Sequence, residues 1–296
     1  MRILITGASG FLGSYISENF FQKGYEIFVI TRKPEKTKFK AFLWNGRDII
    51  GNIDTDGFDA VINLAGENIF SLRWTESKKE RIFTSRVNFT KKLCDFISIF
   101  KVRPEVFIQA SAIGYYKGSD EEIDEKGEKG NNFLSYVVEE WERASELIEE
   151  MGVRRVIARL GIVLGNGGFI KKIELPFRFF LGSIIGDKNR WISWIHIEDV
   201  YEIFSFFIDN KNLKGIFNLV SPNPVKSLDF YKTFSNVLKR PLLFYIPDFI
   251  LKFMMGEMAE NLILQSQRVV PSNLLKVGYK FKFQRIEDAI KDIYKY

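Results

Sequence analysis

Three glycines open the chain's chemistry. Gly7, Gly10 and Gly13 stand in ITGASGFLGSY (residues 5–15), straight after the apolar run RILIT and ahead of a helical pattern. A strand–turn–helix with GxxGxxG spacing is the context in which a backbone turn approaches a pyrophosphate. The early glycines remove the Cβ atoms that would block the approach, and the last lets helix and strand pack closely. The helix start adds unpaired N–H groups and the positive end of a dipole. The next strand, EIFVITRKPEK, carries no acid at its tip; it ends in Thr31, Arg32 and Lys33. A carboxylate there would bind the ribose hydroxyls of NAD, whereas the Arg32 fork suits the 2′-phosphate of NADP(H). NLAGEN (63–68) ends a further strand, and its small Ala65 and Gly66 leave room for a cofactor over the sheet edge.

Other reactive residues are few. Cys94, the one cysteine of 296 residues, lies in an amphipathic pattern and reads as a buried helix residue, so neither a disulfide framework nor a zinc cluster is expected. His196, the one histidine, falls at a strand-to-helix junction beside Asp199 and reads as structural. The carboxylates of YKGSDEEIDEKGEKG, Asp120 to Glu122 with Asp124 and Glu125, read as a solvated lid and not as a metal site. The net charge of +6 is spread along the chain with no basic stripe interleaved with aromatics, which argues against nucleic acid. No apolar run approaches the ~18 residues of a membrane span, and MRILITG reads as a strand and not a signal peptide. A cytoplasmic protein is expected, with a small-molecule substrate and neither membrane nor nucleic acid as partner.

These residues need a frame. RILIT, EIFVIT, DAVINLAG, EVFIQASA and RRVIARLGIVLG read as strands, with AFLW weaker. Helical patterns separate them at FLGSYISENFFQKG, at 74–100 and at 133–152. Alternation of this kind predicts an α/β fold: a Rossmann-type doubly wound parallel sheet with a smaller, mostly helical C-terminal substrate lobe. The boundary is expected near 165, giving a dinucleotide domain over 1–165, to which later segments can return, and a lobe over 166–296. In that lobe Ser227 is the expected N-cap of SLDFYKTFSNVLKRP.

Together TGASGFLG, TRKPEK, NLAGENI, RWTESKKERIFTSRV, QASAIGYY, EEWERA, RLGIVLGNGG, WISWIHIEDV and SQRVVPSNLL resemble the extended short-chain dehydrogenase/reductase superfamily. They are most similar to its atypical epimerase-like branch, often called YfcH-like. The resemblance implies NADP(H), with Gly7, Gly10, Phe11, Leu12 and Gly13 along the pyrophosphate. It implies Thr31 and Arg32 at the adenosine end, Leu64 and Ala65 along the cofactor, Arg86 facing it, and Val163 near the nicotinamide. The superfamily's catalytic tyrosine and lysine, at Y-x-x-x-K spacing, are missing: Tyr136 is followed four residues on by Glu140, an acid. Ser111 and Tyr116 are the remaining candidates for orienting and protonating a substrate oxygen, although the superfamily's serine aligns with Ala112. The expected activity is an NADP(H)-dependent oxidoreductase acting on a small carbonyl or sugar-like compound. The alternatives are a nucleotide-sugar epimerase or dehydratase, and a non-catalytic NADPH sensor.

Overall fold

The computed structural model describes residues 1–51, 57–70 and 73–294. β1 (Arg2–Thr6), α1 (Phe11–Gln22), β2 (Glu26–Thr31), β3 (Lys40–Trp44), β4 (Ile49–Ile50) and β5 (Ala60–Asn63) come first. α2 (Glu76–Thr84), α3 (Val87–Ser98), β6 (Val106–Ala112), β7 (Ser119–Ile123), α4 (Phe133–Arg143), α5 (Leu147–Glu150), β8 (Arg154–Leu160) and β9 (Ile162–Leu164) follow. Next are α6 (Gly168–Arg178), β10 (Gly182–Ile185), β11 (Trp191–Ile192), β12 (Trp194–His196), α7 (Ile197–Asp209) and β13 (Gly215–Leu219). β14 (Val225–Lys226), α8 (Ser227–Leu238), β15 (Leu242–Ile246), α9 (Asp248–Met255), β16 (Gln267–Val269), α10 (Ser272–Lys276) and α11 (Ile286–Tyr294) end the described chain.

The main sheet has eight strands in the order β13-β8-β6-β5-β1-β2-β3-β4. Every pairing in it is parallel except β3 with the edge strand β4. This is the Rossmann-type architecture expected, with both faces covered. Ile3 and Ile5 face a core with Ile16 and Phe20 of α1 and Val200, Phe204 and Phe207 of α7. Leu4 faces the other way, onto Phe89, Leu93 and Ile97 of α3. Strands buried on both faces explain the continuous apolar runs, and each fully buried aliphatic or phenylalanine side chain contributes ~1.5–3 kcal/mol. Consecutive strands depart to opposite sides of β1, so a crevice opens at the C-terminal ends of β1 and β5, where open α/β sheets bind ligands. After residue 165 the chain contributes α7 and β13 to the main sheet, while α6, α8, α11 and short strand pairs form a second core around Trp194, Phe230 and Phe234.

Four local expectations change. The helical stretch at 74–100 is two helices that break at Ser85–Arg86. RRVIARLGIVLG is two strands: a Cβ on Gly161 would stand 2.7 Å from Ser193 O and from a methyl of Val220, so only glycine lets the chain leave β13 for β12 there. Ser227 is no cap; Lys226 holds the N-cap position and makes no side-chain bond to the helix. The acidic stretch is no solvated lid throughout: β7 pairs with β16, and buried Glu125 accepts hydrogen bonds from the amides of Asn218 and Asn273 at 3.1 Å.

Candidate functional site

The β1–α1 turn is built for close approach. Gly7 has φ +71°, and a Cβ there would stand 2.5 Å from Leu64 O. A Cβ on Gly13 would stand 2.2 Å from Gly7 O, so the helix rests directly on the turn. Gly10 is the N-cap of α1 and supplies no side-chain acceptor, which leaves the first-turn amides open to an anion. Phe11 packs its ring against the GNGG turn, where Cβ atoms on Gly165, Gly167 or Gly168 would strike it at 2.4–3.0 Å.

A buried polar network, not singled out from sequence, aligns the two strand ends. Thr6 Oγ1 donates to Asn63 Oδ1 at 2.7 Å and accepts from the amides of Leu64 and Ala65 at 3.1 Å. Asn63 Nδ2 and Trp141 Nε1 both donate to Thr90 Oγ1, at 2.9 and 3.1 Å. Strand ends β1 and β5 are thereby tied to α3 and α4. The signal was present in the threonine of TG and the asparagine of NLAG, but its meaning required the partners.

The turn from Gly7 to Gly13, together with Leu64, Arg86, Ser111 and Val163, lines one cavity of about 830 Å³ between the sheet edge and the C-terminal segments. Thr31, Arg32 and Ala65 lie off its wall. Arg32 is exposed at the end of β2, close enough to act on the Glu67 carboxylate, which Lys78 at 2.8 Å chiefly, then Arg81 and Arg32, hold below the usual carboxylate range. Three cations around one acid leave that corner positive. Arg86 donates to Glu67 O and Ile82 O at 3.1 and 3.2 Å, lies 5.2 Å from the Trp141 ring centre, and backs onto Gly66. Burial pushes it down to about 10, so it stays charged at neutral pH.

Ser111 sits at the cavity wall in the company of two residues that sequence reasoning missed. Its Oγ donates to Glu142 at 2.5 Å, and Arg159 grips both oxygens of Glu142 at 2.8 and 2.7 Å. An Arg-paired carboxylate accepts, so the Ser111 proton is committed to it. The hydroxyl offered for polarising a carbonyl thus already has an acceptor inside the protein.

Tyr116 is corrected. It is fully buried and off the cavity wall, its phenol donates to Asn218 Oδ1 at 2.7 Å, and burial pushes it up to about 12. Strand β6 ends at Ala112, and the short helical turn after it carries the ring away from the cleft. Tyr136 stacks on Phe83 with 51% of its surface exposed, and Glu140 pairs with Arg143. The α4 face at the cavity is instead Leu134, Val137, Val138 and Trp141. Cys94 is buried, its thiol pushed up to about 12 by desolvation. His196 caps α7, Nδ1 accepting from the Glu198 amide at 3.4 Å. His196, Glu198 and Asp292 bring possible ligand atoms within 4.8 Å of one another, but the Lys282 ammonium already holds Glu198, so the cluster reads as an ion-pair network.

Comparison with known proteins bears on the same elements. The family described as the NAD dependent epimerase/dehydratase family matches residues 3–219. The chain belongs to that family. A second match, to a domain of unknown function (DUF1731), covers 246–293. The chain is 34% identical over 298 residues to the epimerase family protein YfhF of Bacillus subtilis, covering 99% of this chain and 98% of that one. It is 33% identical to the Arabidopsis thaliana epimerase family protein SDR39U1 homolog, named as chloroplastic, over 99% of this chain and 86% of that one. Among solved structures, human epimerase family protein SDR39U1, crystallised with NADPH, superposes with a TM-score of 0.91 at 30% identity, covering 100% and 99% of the two chains. A Bacillus cereus UDP-glucuronic acid 4-epimerase shares the fold, with a TM-score of 0.76 at 15% identity, over 100% of this chain and 98% of that one. The extended short-chain dehydrogenase/reductase resemblance and the sheet it implied are thus both present in this family member. Among the described residues no helix is long and apolar enough to cross a membrane.

Proposed function

We propose that this protein binds NADP(H) along the β1–α1 turn and catalyses hydride transfer between the nicotinamide and a small carbonyl or hydroxyl compound in the cavity. One observation carries the reading: a single cavity runs from the glycine turn past Leu64 and Val163 to Ser111 and on to the C-terminal segments. The first-turn amides of α1 and the cation Arg86 suit the pyrophosphate. The positive corner of Arg32, Lys78 and Arg81 suits a 2′-phosphate, and the NADPH in the human relative's crystal supports that choice.

When bound, the nicotinamide gives or takes the hydride. Ser111 accepts the hydrogen bond of the substrate hydroxyl. Glu142, gripped by Arg159, fixes the Ser111 hydroxyl so that the serine orients the substrate oxygen for hydride transfer, the oxygen's proton being exchanged with water. Calorimetry on cofactor-stripped protein tests the cofactor assignment, with NADPH expected to bind more tightly than NADH. Absorbance of NADPH across a panel of carbonyl compounds tests turnover. No uptake of either nucleotide would overturn the reading.

A non-catalytic NADPH-binding module is the second reading. It is favoured by a cavity wall that, among the described residues, holds no carboxylate or histidine, and whose one tyrosine, Tyr231, is fully buried beside Arg190. It predicts nucleotide uptake with no turnover on any compound. The lone buried thiol and diffuse charge support a cytoplasmic protein working on small molecules without nucleic acid or membrane.

A further inference from the structure

Resting on the reading of this cavity as the substrate compartment, we propose that it takes a hydrophobic carboxylate, an oxo- or hydroxy-acid on a hydrocarbon frame, with the acid group at Lys172. Three features of the wall carry this. First, the described lining residues include cations and no Asp or Glu, so the cavity is unbalanced toward an anionic occupant. Second, two of those cations are engaged elsewhere. Arg86 is bonded to carbonyls and faces the dinucleotide turn, and Arg190 donates to Ile263 O and Ile185 O with Asp248 close by. Lys172 lies on the cavity wall but is exposed to solvent, its Nζ 3.9 Å from the Phe70 ring centre; partial desolvation lowers its pKa and no acid offsets the effect. Third, most of the compartment is hydrocarbon, with Ile162, Phe169, Ile173, Phe177, Ile192 and Leu262 on its wall, interrupted by Ser183, Ser193, Asn261, Gln265 and Gln267. The α6 end beside it exposes Leu175, Phe179, Phe180 and Leu181, an apolar rim. The polar side chains on the wall already donate to main-chain carbonyls, Ser183 to Leu181, Ser193 to Gln267, Asn261 to Glu257, Gln265 to Glu260 and Gln267 to Tyr116, so a sugar's hydroxyls would find few free donors, which is costly, whereas a hydrocarbon chain meets its own kind and leaves one charge for one ammonium.

The test is titration calorimetry of decanoate, decanol and UDP-glucose into the purified protein, with and without saturating NADP+, in wild type, Lys172→Met and Lys171→Met. Lys171 is exposed on the same helix and off the cavity wall. Decanoate is expected to bind more tightly than decanol and UDP-glucose. Lys172→Met should weaken decanoate about tenfold, the worth of one charge-assisted hydrogen bond, while leaving decanol and NADP+ unchanged; Lys171→Met should change nothing. Absent decanoate binding, equal decanoate affinity in Lys172→Met, or tighter UDP-glucose binding would each overturn the proposal. So would a loss of NADP+ affinity in Lys172→Met, which would assign that ammonium to the dinucleotide. Nucleotide uptake by wild type is read in the same titrations, so failure of the dinucleotide reading appears separately as absent NADP+ binding.

Discussion

Replacing Arg159 by methionine strands the Glu142 carboxylate beneath the cavity. In the folded protein that carboxylate takes three short hydrogen bonds, two from Arg159 at 2.7 and 2.8 Å and one from Ser111 at 2.5 Å. The two side chains are 3% and 11% exposed, so water does little of the solvation. Arg159 also covers Tyr115, with its guanidinium carbon 3.6 Å from the ring centre. Removing one partner of a buried ion pair costs about 3–5 kcal/mol, because the remaining charge is left desolvated and unpaired. Removing both is far cheaper, since an apolar pair of similar volume avoids the desolvation. Arg159→Met should therefore lose about 3–5 kcal/mol, and Arg159→Met with Glu142→Leu should recover to within about 2 kcal/mol of wild type. Urea denaturation followed by circular dichroism reads both, provided the slope against urea is unchanged. A single variant that costs under about 1 kcal/mol, or a double variant no better than the single, would refute the account of the pair as buried and mutually dependent.

Three further outcomes follow from the same geometry. Arg32→Ala should weaken NADPH binding about 10–100-fold, the worth of a charge-assisted contact, and leave NADH nearly unchanged by calorimetry; equal losses would remove Arg32 from the 2′-phosphate. Gly13→Val places a Cβ 2.2 Å from Gly7 O, so fluorescence titration should find uptake of both nucleotides abolished, and wild-type affinity would contradict the close packing. His196 is held down at about 4 by desolvation, against an ordinary 6.5, with Asp292 and Glu198 opposing and Lys282 assisting. Its folded value lies below the unfolded one, so its share of stability is lost as pH falls from about 6.5 to 4, up to about 3 kcal/mol. Asp199, pushed up to about 6 by burial, works the opposite way, gaining as pH falls from 6 to 3.8, in wild type and variant alike. His196→Asn keeps a capping side chain, and its stability relative to wild type should rise across pH 6.5 to 4 in urea titrations; a constant difference would sink the argument.

Local rules were enough for much of this molecule. Apolar runs of strand length alternating with amphipathic helices determined the parallel sheet, because a strand covered on both faces has no polar side to show. The GxxGxxG turn was legible for the same local reason: positive φ at Gly7 and the contact of Gly13 with Gly7 O are demands that one short segment makes on itself. The break at Gly161 and the failure of Ser227 to cap α8 could not be read locally, since each depends on which distant strand comes alongside.

The chemistry at the cavity belongs to tertiary structure. Nothing local to QASAIGYY says that Ser111 meets Glu142, 31 residues on, while Tyr116 turns to Asn218, 102 residues on. The sequence by itself determined the fold family, the glycine-rich turn and the missing tyrosine–lysine pair. Only the tertiary structure decided that Ser111 lines the cavity while Tyr116 does not, that Arg159 braces the acid behind that serine, and that the wall is mostly hydrocarbon with Lys172 on it. The physical reason is range: backbone turns and periodicity are settled within a few residues, whereas burial and charge pairing are set by whichever segments the sheet brings together.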